Sequence, residues 1–219
     1  MSVTQNIKTI IKELEGIKLV CVTKTIDPER INESIRAGAI IIGENRVQEF
    51  EEKYEELLPC ERHLIGHLQT NKVKKAVQFF DVIQSVDSLK LIQDIDRKAK
   101  TIDKMQKVFL QVNIGNEPQK YGFGLDEIEQ VISEIRLLKN VQVEGLMCIP
   151  PFVSPEETRS YFRRMKVLFD ELKQENSSNS DNIDFQELSM GMSGDYRVAI
   201  EEGATMVRVG SAIFGDRKY

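Results

Sequence analysis

Short apolar runs alternate with amphipathic stretches along almost the whole chain. Runs rich in valine, isoleucine and leucine are typical of buried strands, whereas an apolar residue at every third or fourth position is typical of a helix. The predicted strands are Leu19–Thr23, Ala39–Ile42, His63–Ile65, Val82–Gln84, Val108–Ile114, Val141–Cys148, Phe185–Ser189 and Met206–Val209. Because helices separate these strands, the pattern predicts parallel pairing with right-handed crossovers, that is, an α/β fold.

The number of repeats narrows the fold further. Eight strand–helix units predict a single (β/α)8 TIM barrel with an extra N-terminal helix over roughly Val3–Leu14. A doubly wound open sheet is the competing architecture, since it uses the same alternation. We expect residues 1–219 to form one domain, with the polar stretch 175–182 as a solvated loop rather than a linker.

Single residues mark some of the helix ends. Asp27 is of a type that caps helices, and Pro28 is favoured at the first helical position. Gly203 stands where a left-handed residue would end a helix that runs from Asp195. These signals support the helices that the periodicity predicts.

Composition and charge argue against several classes of protein. The chain has 219 residues, and its net charge of -5 argues against a protein that coats nucleic acid. No apolar segment approaches the length that a bilayer crossing demands, and the polar N-terminus lacks a signal-peptide core. We therefore expect a cytoplasmic protein without membrane or nucleic-acid partners. The cysteines include no C-x-x-C pair, and Cys21 and Cys148 lie in apolar runs, where they are predicted to be small buried side chains.

Lys24 is the first residue with candidate chemistry. It follows the apolar run 19–23 directly, at the carboxyl end of the first predicted strand. Apolar surroundings favour the neutral, nucleophilic amine, which is the form that makes a Schiff base with a carbonyl compound. An ordinary surface lysine is the alternative. Strand parity groups Lys24 with Val20 and Val22 without deciding which side faces the barrel axis.

Glycine and serine recur in the loops after the last two predicted strands. The first loop contains Ser193 between two glycines, and the second contains Gly210 and Ser211. Glycines let the backbone approach an anion, while hydroxyl and backbone N–H groups donate to it. TIM barrels favour phosphate after strands seven and eight, although turn formation alone would also use these residues. Together with the Lys24 amine, these loops suggest pyridoxal 5′-phosphate as the cofactor.

Arg208 and Asn45 are further candidates. Arg208 lies in the apolar run 206–209, where a guanidinium needs a partner: an internal salt bridge, or the ring nitrogen of the cofactor. A permanent charge there would disfavour protonation of that nitrogen and weaken the ring as an electron sink. Asn45, after the second strand, either hydrogen-bonds the cofactor or caps a helix. Its neighbours Glu44 and Arg46 are a candidate ion pair.

Other polar residues are weaker candidates. His63 and His67 are four positions apart, but the residues between them are typical of a strand and a turn, so we expect no metal site. Lys120 lies in a loop and could be a second amine within reach of a ligand, although an exposed loop lysine is the simpler interpretation.

Several ordered motifs resemble those of the pyridoxal-phosphate homeostasis proteins, also called the YggS/PROSC family. They are VTKT at 22–25, GENRVQE at 43–49, HLIGHLQTNK at 63–72, LSMGMS at 188–193 and VRVGSAIFG at 207–215, and they span most of the chain. The resemblance implies a barrel similar to the N-terminal domain of bacterial alanine racemase, with the cofactor on Lys24. It also implies that Ser193, Gly210 and Ser211 hold the phosphate, that Arg208 lies near the ring nitrogen and that Met192 packs beside the ring.

The same resemblance implies a protein that is not an enzyme. It would hold pyridoxal phosphate reversibly, buffer its free concentration and pass it to apo-enzymes, and the one-domain architecture favours a monomer. A racemase-like enzyme is the alternative. In alanine racemase, however, a tyrosine from an additional domain supplies the second acid/base group, and we expect no room for that domain here. A lysine-dependent aldolase acting on a sugar phosphate would use the same amine and phosphate loops.

Overall fold

In the computed structural model, which describes residues 2–176 and 182–215, parallel strands close into a barrel in chain order. The strands are β1 (Lys18–Val22), β2 (Ile41–Glu44), β3 (Glu61–Leu64), β4 (Val82–Val86), β5 (Gln106–Val112), β6 (Val141–Cys148), β7 (Ile183–Met192) and β8 (Met206–Val209). The helices are α1 (Val3–Leu14), α2 (Pro28–Arg36), α3 (Val47–Lys53), α4 (Val73–Phe79), α5 (Leu89–Lys100), α6 (Ile128–Ile135), α7 (Pro155–Asn176), α8 (Tyr196–Glu201) and α9 (Ser211–Phe214). The predicted TIM barrel with an extra N-terminal helix is confirmed. Most of the predicted loop at 175–182, namely residues 177–181, lies outside the described residues.

The barrel closes where β8 pairs with β1. Val20 lies opposite Arg208 and Cys21 lies opposite Val209 in this parallel ladder. Residues near the two ends of the chain therefore become neighbours, as the sequence predicts for a closed barrel.

Six of the eight strands differ from their predicted boundaries; β1, β3, β4 and β5 do so by one or two residues at one or both ends. β2 begins at Ile41 rather than Ala39, because the Ala39 N–H still bonds to the Ser34 carbonyl in α2 at 3.0 Å. β7 continues to Met192, beyond the predicted end at Ser189, because Met192 pairs with Arg208 of β8. This extension carries the glycine–serine loop to the rim of the barrel.

The predicted helix signals are confirmed. Asp27 Oδ1 accepts a hydrogen bond from the Arg30 N–H at 3.0 Å, with Pro28 at the first helical position. Gly203 has a φ of 91°, and its N–H bonds to the Ile200 carbonyl just after α8. No helix in the described part of the chain combines the length and apolar character that a membrane crossing requires.

Helix α1 lies outside the barrel and packs against α2 and α9. Thr4 Oγ1 donates to Glu33 Oε1 of α2 at 2.9 Å. Asn6 Nδ2 donates to the Ile213 carbonyl of α9 at 2.8 Å. These bonds place α1 on the outside of the barrel, beside α2 and the short helix α9.

Apolar side chains fill both faces of the strands. The outer core lies between strands and helices, and it includes Cys21 and Cys148, which are buried as predicted; burial raises the pKa of Cys148 to about 12. The inner core consists of Val20, Val22, Ile41, Ile65, Val82, Phe109, Met147 and Met206. Because Val20 and Val22 point into the barrel, side-chain alternation directs Lys24 to its mouth.

Candidate functional site

A cavity of about 640 Å³ opens at the carboxyl ends of the strands, the end at which TIM barrels carry their active sites. It is lined by Val22, Lys24, Asn45, Ile65, Ile149, Met192, Ser193, Gly194, Arg208, Gly210 and Ser211. Every residue that the sequence proposed for cofactor binding is in this set. A neighbouring cavity of about 700 Å³ shares only Asn45 with it.

The lining also contains residues that the sequence analysis missed. Val22 and Ile65 form an apolar wall, and each is 8% exposed. Ile149 directly follows β6, and Ile65 directly follows β3. Their places at the carboxyl ends of predicted strands were a usable signal, because those ends converge in a barrel.

Lys24 is half-buried in the turn after β1. None of the other described residues hydrogen-bonds to its amine or forms an ion pair with it. The amine is therefore available to a ligand in the cavity.

A buried lysine supports the turn that carries Lys24. Lys53, on α3, is 6% exposed, and its Nζ donates to the carbonyl oxygens of Thr23 at 3.1 Å and Ile26 at 3.4 Å. These two residues flank Lys24 and the left-handed Thr25, whose φ is 61°. Lys53 thus fixes the backbone on both sides of the candidate nucleophile.

Glu44 is the buried partner of Lys53. Its Oε1 lies 2.8 Å from Lys53 Nζ and accepts a hydrogen bond from Thr23 Oγ1 at 2.5 Å. The candidate pairing of Glu44 with Arg46 is wrong, because Arg46 is exposed at the N-cap of α3 while Lys53, at the end of α3, reaches back under β2. Burial raises the pKa of Glu44 although Lys53 acts to lower it.

Ser193 connects the two glycine–serine loops. Its Oγ accepts hydrogen bonds from the backbone N–H groups of Gly210 at 3.2 Å and Ala212 at 3.4 Å. Asp195 closes the turn on the other side, where its Oδ1 accepts from the Met192 N–H at 2.6 Å. These bonds hold the two loops together beside the cavity, and the serine hydroxyls and glycine backbone of the loops are of the kind that binds a phosphate.

Arg208 forms the floor of the cavity and is 3% exposed. Its Nη1 donates to the carbonyl and the hydroxyl of Ser189, both at 2.8 Å, and its Nη2 donates to the Cys148 carbonyl at 2.8 Å. The alternative of an internal salt bridge is wrong within the described residues, since these partners are neutral. Burial lowers the pKa of Arg208, and the described bonds leave Nε unengaged.

Asn45, just after β2, and Met192, at the end of β7, both line the cavity. Asn45 is half-buried after β2, and helix α3 begins with Arg46 as its N-cap without a side-chain capping bond. The alternative in which Asn45 caps α3 is therefore wrong, and Asn45 lines the cavity. Met192 is 37% exposed and can cover a planar ligand.

The weaker candidates lie outside the cavity. His63 is buried inside the barrel, whereas His67 bonds to Asp87 at 2.9 Å and stacks on Tyr121 with ring centroids 3.7 Å apart. Lys120 Nζ lies 2.5 Å from a Glu117 carboxylate oxygen. Its amine is engaged, in contrast to that of Lys24.

Comparisons with known proteins agree with this architecture. Residues 2–218 match the family model of the alanine racemase N-terminal domain. The pyridoxal phosphate homeostasis protein of Aquifex aeolicus is 45% identical over 92% of this chain and 88% of its own length. That of a Synechocystis species is 38% identical over 92% of both chains. The structure of PipY from Synechococcus elongatus PCC7942, solved with PLP bound, is 35% identical with a TM-score of 0.88, covering 98% of this chain and all of that one.

Proposed function

The chain belongs to the pyridoxal phosphate homeostasis proteins, which share the alanine racemase N-terminal domain, and we propose that it holds pyridoxal 5′-phosphate (PLP) as a Schiff base on Lys24. In this proposal the protein stores and delivers the cofactor and does not turn over a substrate. When bound, PLP supplies an aldehyde that reacts reversibly with amines and a ring that can withdraw electrons.

One observation carries the proposal: a free amine, a set of anion donors and a buried guanidinium surround the same cavity. Its volume of about 640 Å³ lies in the range of cofactor sites. The donor set matches the three chemical features of PLP, which are an aldehyde, a phosphate and a pyridine nitrogen. The residues that line the cavity therefore fit PLP.

Lys24 would hold the aldehyde carbon. Its amine has no competing partner among the described residues, and Glu44 and Lys53 hold the turn in place. Condensation joins Nζ to the aldehyde carbon and releases water, so the reverse reaction with water frees the cofactor. A reversible bond of this kind suits storage.

Ser193, Gly210 and Ser211 would hold the phosphate. Hydroxyl and backbone N–H groups donate to anions without introducing a cation, and the bond between Ser193 and Gly210 already brings these loops together. Asn45 would bond to the polar edge of the ring, and Met192 would cover its face.

Arg208 would face the ring nitrogen with its unengaged Nε. A guanidinium donates and does not accept, so it disfavours a proton on that nitrogen. The unprotonated ring withdraws electrons less strongly, which slows the carbanion chemistry that PLP enzymes use.

The cavity lining supports a role without turnover. Lys24 and Arg208 are the only ionisable side chains among the described residues that line it. Racemisation uses a second acid/base group on the other face of the ring. The exposed Met192 and Ile149 show that the mouth is open, which suits transfer to apo-enzymes. Apo-enzyme partners, a monomeric state and a cytoplasmic location remain predictions from the sequence.

The test is borohydride reduction of the PLP-loaded protein followed by peptide mass spectrometry. We expect a pyridoxyl phosphate adduct on Lys24 that Lys24→Ala abolishes and the matched control Lys120→Ala retains. A label on Lys120, or no label, would overturn the assignment.

Two further measurements separate the alternative functions. Rapid, Lys24-dependent exchange of the α-proton of alanine in heavy water would favour a racemase-like enzyme. An aldolase would be favoured by a different pair of results. The protein would gain no absorbance near the visible edge when PLP is added, but borohydride would link it covalently to a sugar phosphate. We expect neither result.

A further inference from the structure

A line of polar side chains crosses the otherwise apolar interior of the barrel. His63 of β3, Gln84 of β4, Ser189 of β7 and Arg208 of β8 are at most 3% exposed. They lie among the inner-core side chains, which are apolar. Buried polar groups are costly unless they are hydrogen-bonded, so their partners are informative.

The four side chains form one continuous chain of hydrogen bonds. Arg208 Nη1 donates to Ser189 Oγ at 2.8 Å, and Ser189 Oγ donates to Gln84 Oε1 at 2.7 Å. Gln84 Nε2 lies 2.7 Å from His63 Nδ1 and 3.2 Å from the sulfur of Met206. The chain thus leads from the cavity floor into the barrel.

The chain ends at the opposite rim. His63 Nε2 lies 2.8 Å from Glu61 Oε1, at the start of β3. The hydrogen bond from His63 is the main reason that the pKa of Glu61 is lowered. His63 also meets the ring of Phe109 edge-on, with centroids 6.3 Å apart.

The direction of every bond follows from Arg208. A guanidinium can only donate, so the Ser189 oxygen accepts and its hydrogen points to Gln84. The Gln84 carbonyl oxygen is then occupied by the bond from Ser189, so the NH₂ group of Gln84 faces His63.

This direction determines the tautomer of His63. Nδ1 must accept from Gln84, and Nε2 must carry the hydrogen that bonds to Glu61. A proton on Nδ1 would require the Gln84 amide to turn, and the buried Ser189 hydroxyl hydrogen would then lose Gln84 Oε1 as its acceptor. The orientation of the Arg208 guanidinium is therefore linked to one tautomer of a histidine that does not line the cavity.

We propose that His63 and Gln84 are positioning residues that orient the Arg208 guanidinium through Ser189. By orienting Arg208, these two residues would set how its guanidinium meets the ring nitrogen of PLP. This part of the inference rests on the proposed function. His63 and Gln84 touch neither the cavity nor the ligand. Their effect on PLP is transmitted by the order of donors and acceptors along the chain.

The first test uses the protein without PLP. The chain has 2 histidines, so ¹⁵N NMR of histidine-labelled protein, with His67→Gln for assignment, reads the tautomer of His63. We expect Nε2 to carry the hydrogen and Nδ1 to accept, and we expect Gln84→Leu to remove this preference. Finding Nδ1–H in the unmodified protein, or an unchanged His63 signal in Gln84→Leu, would overturn the proposal.

The second test measures transmission to the cavity. Gln84→Leu should weaken PLP binding about threefold to tenfold, the effect of one mis-set hydrogen bond, and should shift the absorbance maximum of the bound PLP. The matched control is Gln106→Leu, since Gln106 is equally buried but donates to the Asp81 carbonyl at 2.9 Å, away from the chain. Urea unfolding of both variants separates a loss of stability from a loss of positioning.

The two tests distinguish failure of this proposal from failure of the proposed function. If Gln84→Leu binds PLP with the same affinity and spectrum as Gln106→Leu, the positioning role is wrong while PLP binding stands. If the unmodified protein binds no PLP, the proposed function fails, and the part of this proposal that concerns PLP fails with it.

Discussion

The hydroxyl oxygen of Ser193 accepts a hydrogen bond from the backbone N–H of Gly210, with the two atoms 3.2 Å apart. This bond joins the loop after β7 to the loop after β8. Because the loops are already linked within the protein, less conformational entropy is lost when a phosphate binds there. The proposed phosphate site is therefore largely organised before a ligand arrives.

Ser193→Ala should weaken PLP binding selectively. The variant loses a hydroxyl donor and loosens the link to Gly210, so we expect the dissociation constant for PLP to rise about tenfold, the effect of a hydrogen bond to a charged group. Absorbance titration measures the affinity. Pyridoxal, which lacks the phosphate, is the control ligand and should be affected little. An equal loss for both ligands would argue against a phosphate contact.

Glu44→Gln should destabilise the protein and disturb the Lys24 turn. The substitution leaves Glu49, at 3.3 Å, as the one described carboxylate partner of the buried Lys53, beside its bonds to the Thr23 and Ile26 carbonyls. Breaking one side of a buried ion pair costs about 3–5 kcal/mol, and the remaining contact should keep the loss near the lower value. Urea unfolding measures this loss of free energy of unfolding. Glu52→Gln, on the exposed face of the same helix, is the control, and equal stability of the two variants would contradict the structural role of Glu44.

Gly191→Ala and Gly194→Ala should differ although Gly191, near the end of β7, is only three positions from Gly194 in the following loop. Gly191 has a φ of 91°, and a Cβ there would lie 2.6 Å from the Ala199 Cβ. We expect Gly191→Ala to lower the free energy of unfolding by about 2–4 kcal/mol through strain and overpacking. A Cβ on Gly194 meets nothing within 4 Å, so Gly194→Ala should be nearly neutral. Thermal or urea unfolding of the two variants measures the difference in stability. Similar losses of stability in both variants would refute this distinction.

Asp81 should contribute to stability in a pH-dependent way. Burial acts to raise the pKa of Asp81, but hydrogen bonds from Arg62 at 2.8 Å outweigh it, so the folded-state pKa lies below the usual 3.8. A carboxyl group with a depressed folded pKa stabilises the protein above its unfolded pKa, and this contribution is lost as the pH falls through the folded pKa.

Asp81→Asn should therefore reduce the loss of stability on acidification below about pH 4. Because both side chains are partly exposed, we expect a modest effect. Urea unfolding at neutral and acidic pH measures it, with the exposed Asp126→Asn as control. Equal pH dependence in the two variants would show that Asp81 contributes no such linkage.

Much of the fold could be predicted from local pattern. The alternation of apolar runs and amphipathic stretches indicated the barrel, and knowledge of where barrels place their sites then related Lys24 to Ser193 and Gly210. The boundaries of six strands, β2 and β7 among them, were wrong by one to three residues. Whether Ala39 completes a helix or starts a strand depends on which carbonyl its N–H meets in space.

Polar partners within the protein were less predictable. Glu44 was assigned to its near neighbour Arg46, but it pairs with Lys53 across the turn from β2 into α3. The contacts of Gln84 with His63 and Ser189 join the neighbouring strands β3 and β4 to β7, which is distant in the sequence. Their polarity alone gave no sign that they share the barrel interior.

The sequence by itself determined the order of strands and helices, the lysine that follows β1 and the glycine–serine loops after β7 and β8. These features depend on local periodicity and residue type. Only the tertiary structure decided that the Lys24 turn is supported by a buried ion pair and that Arg208 is oriented through Ser189. The physical reason is that hydrogen bonds across a barrel depend on the relative register of its strands to within an ångström, which local preferences do not specify.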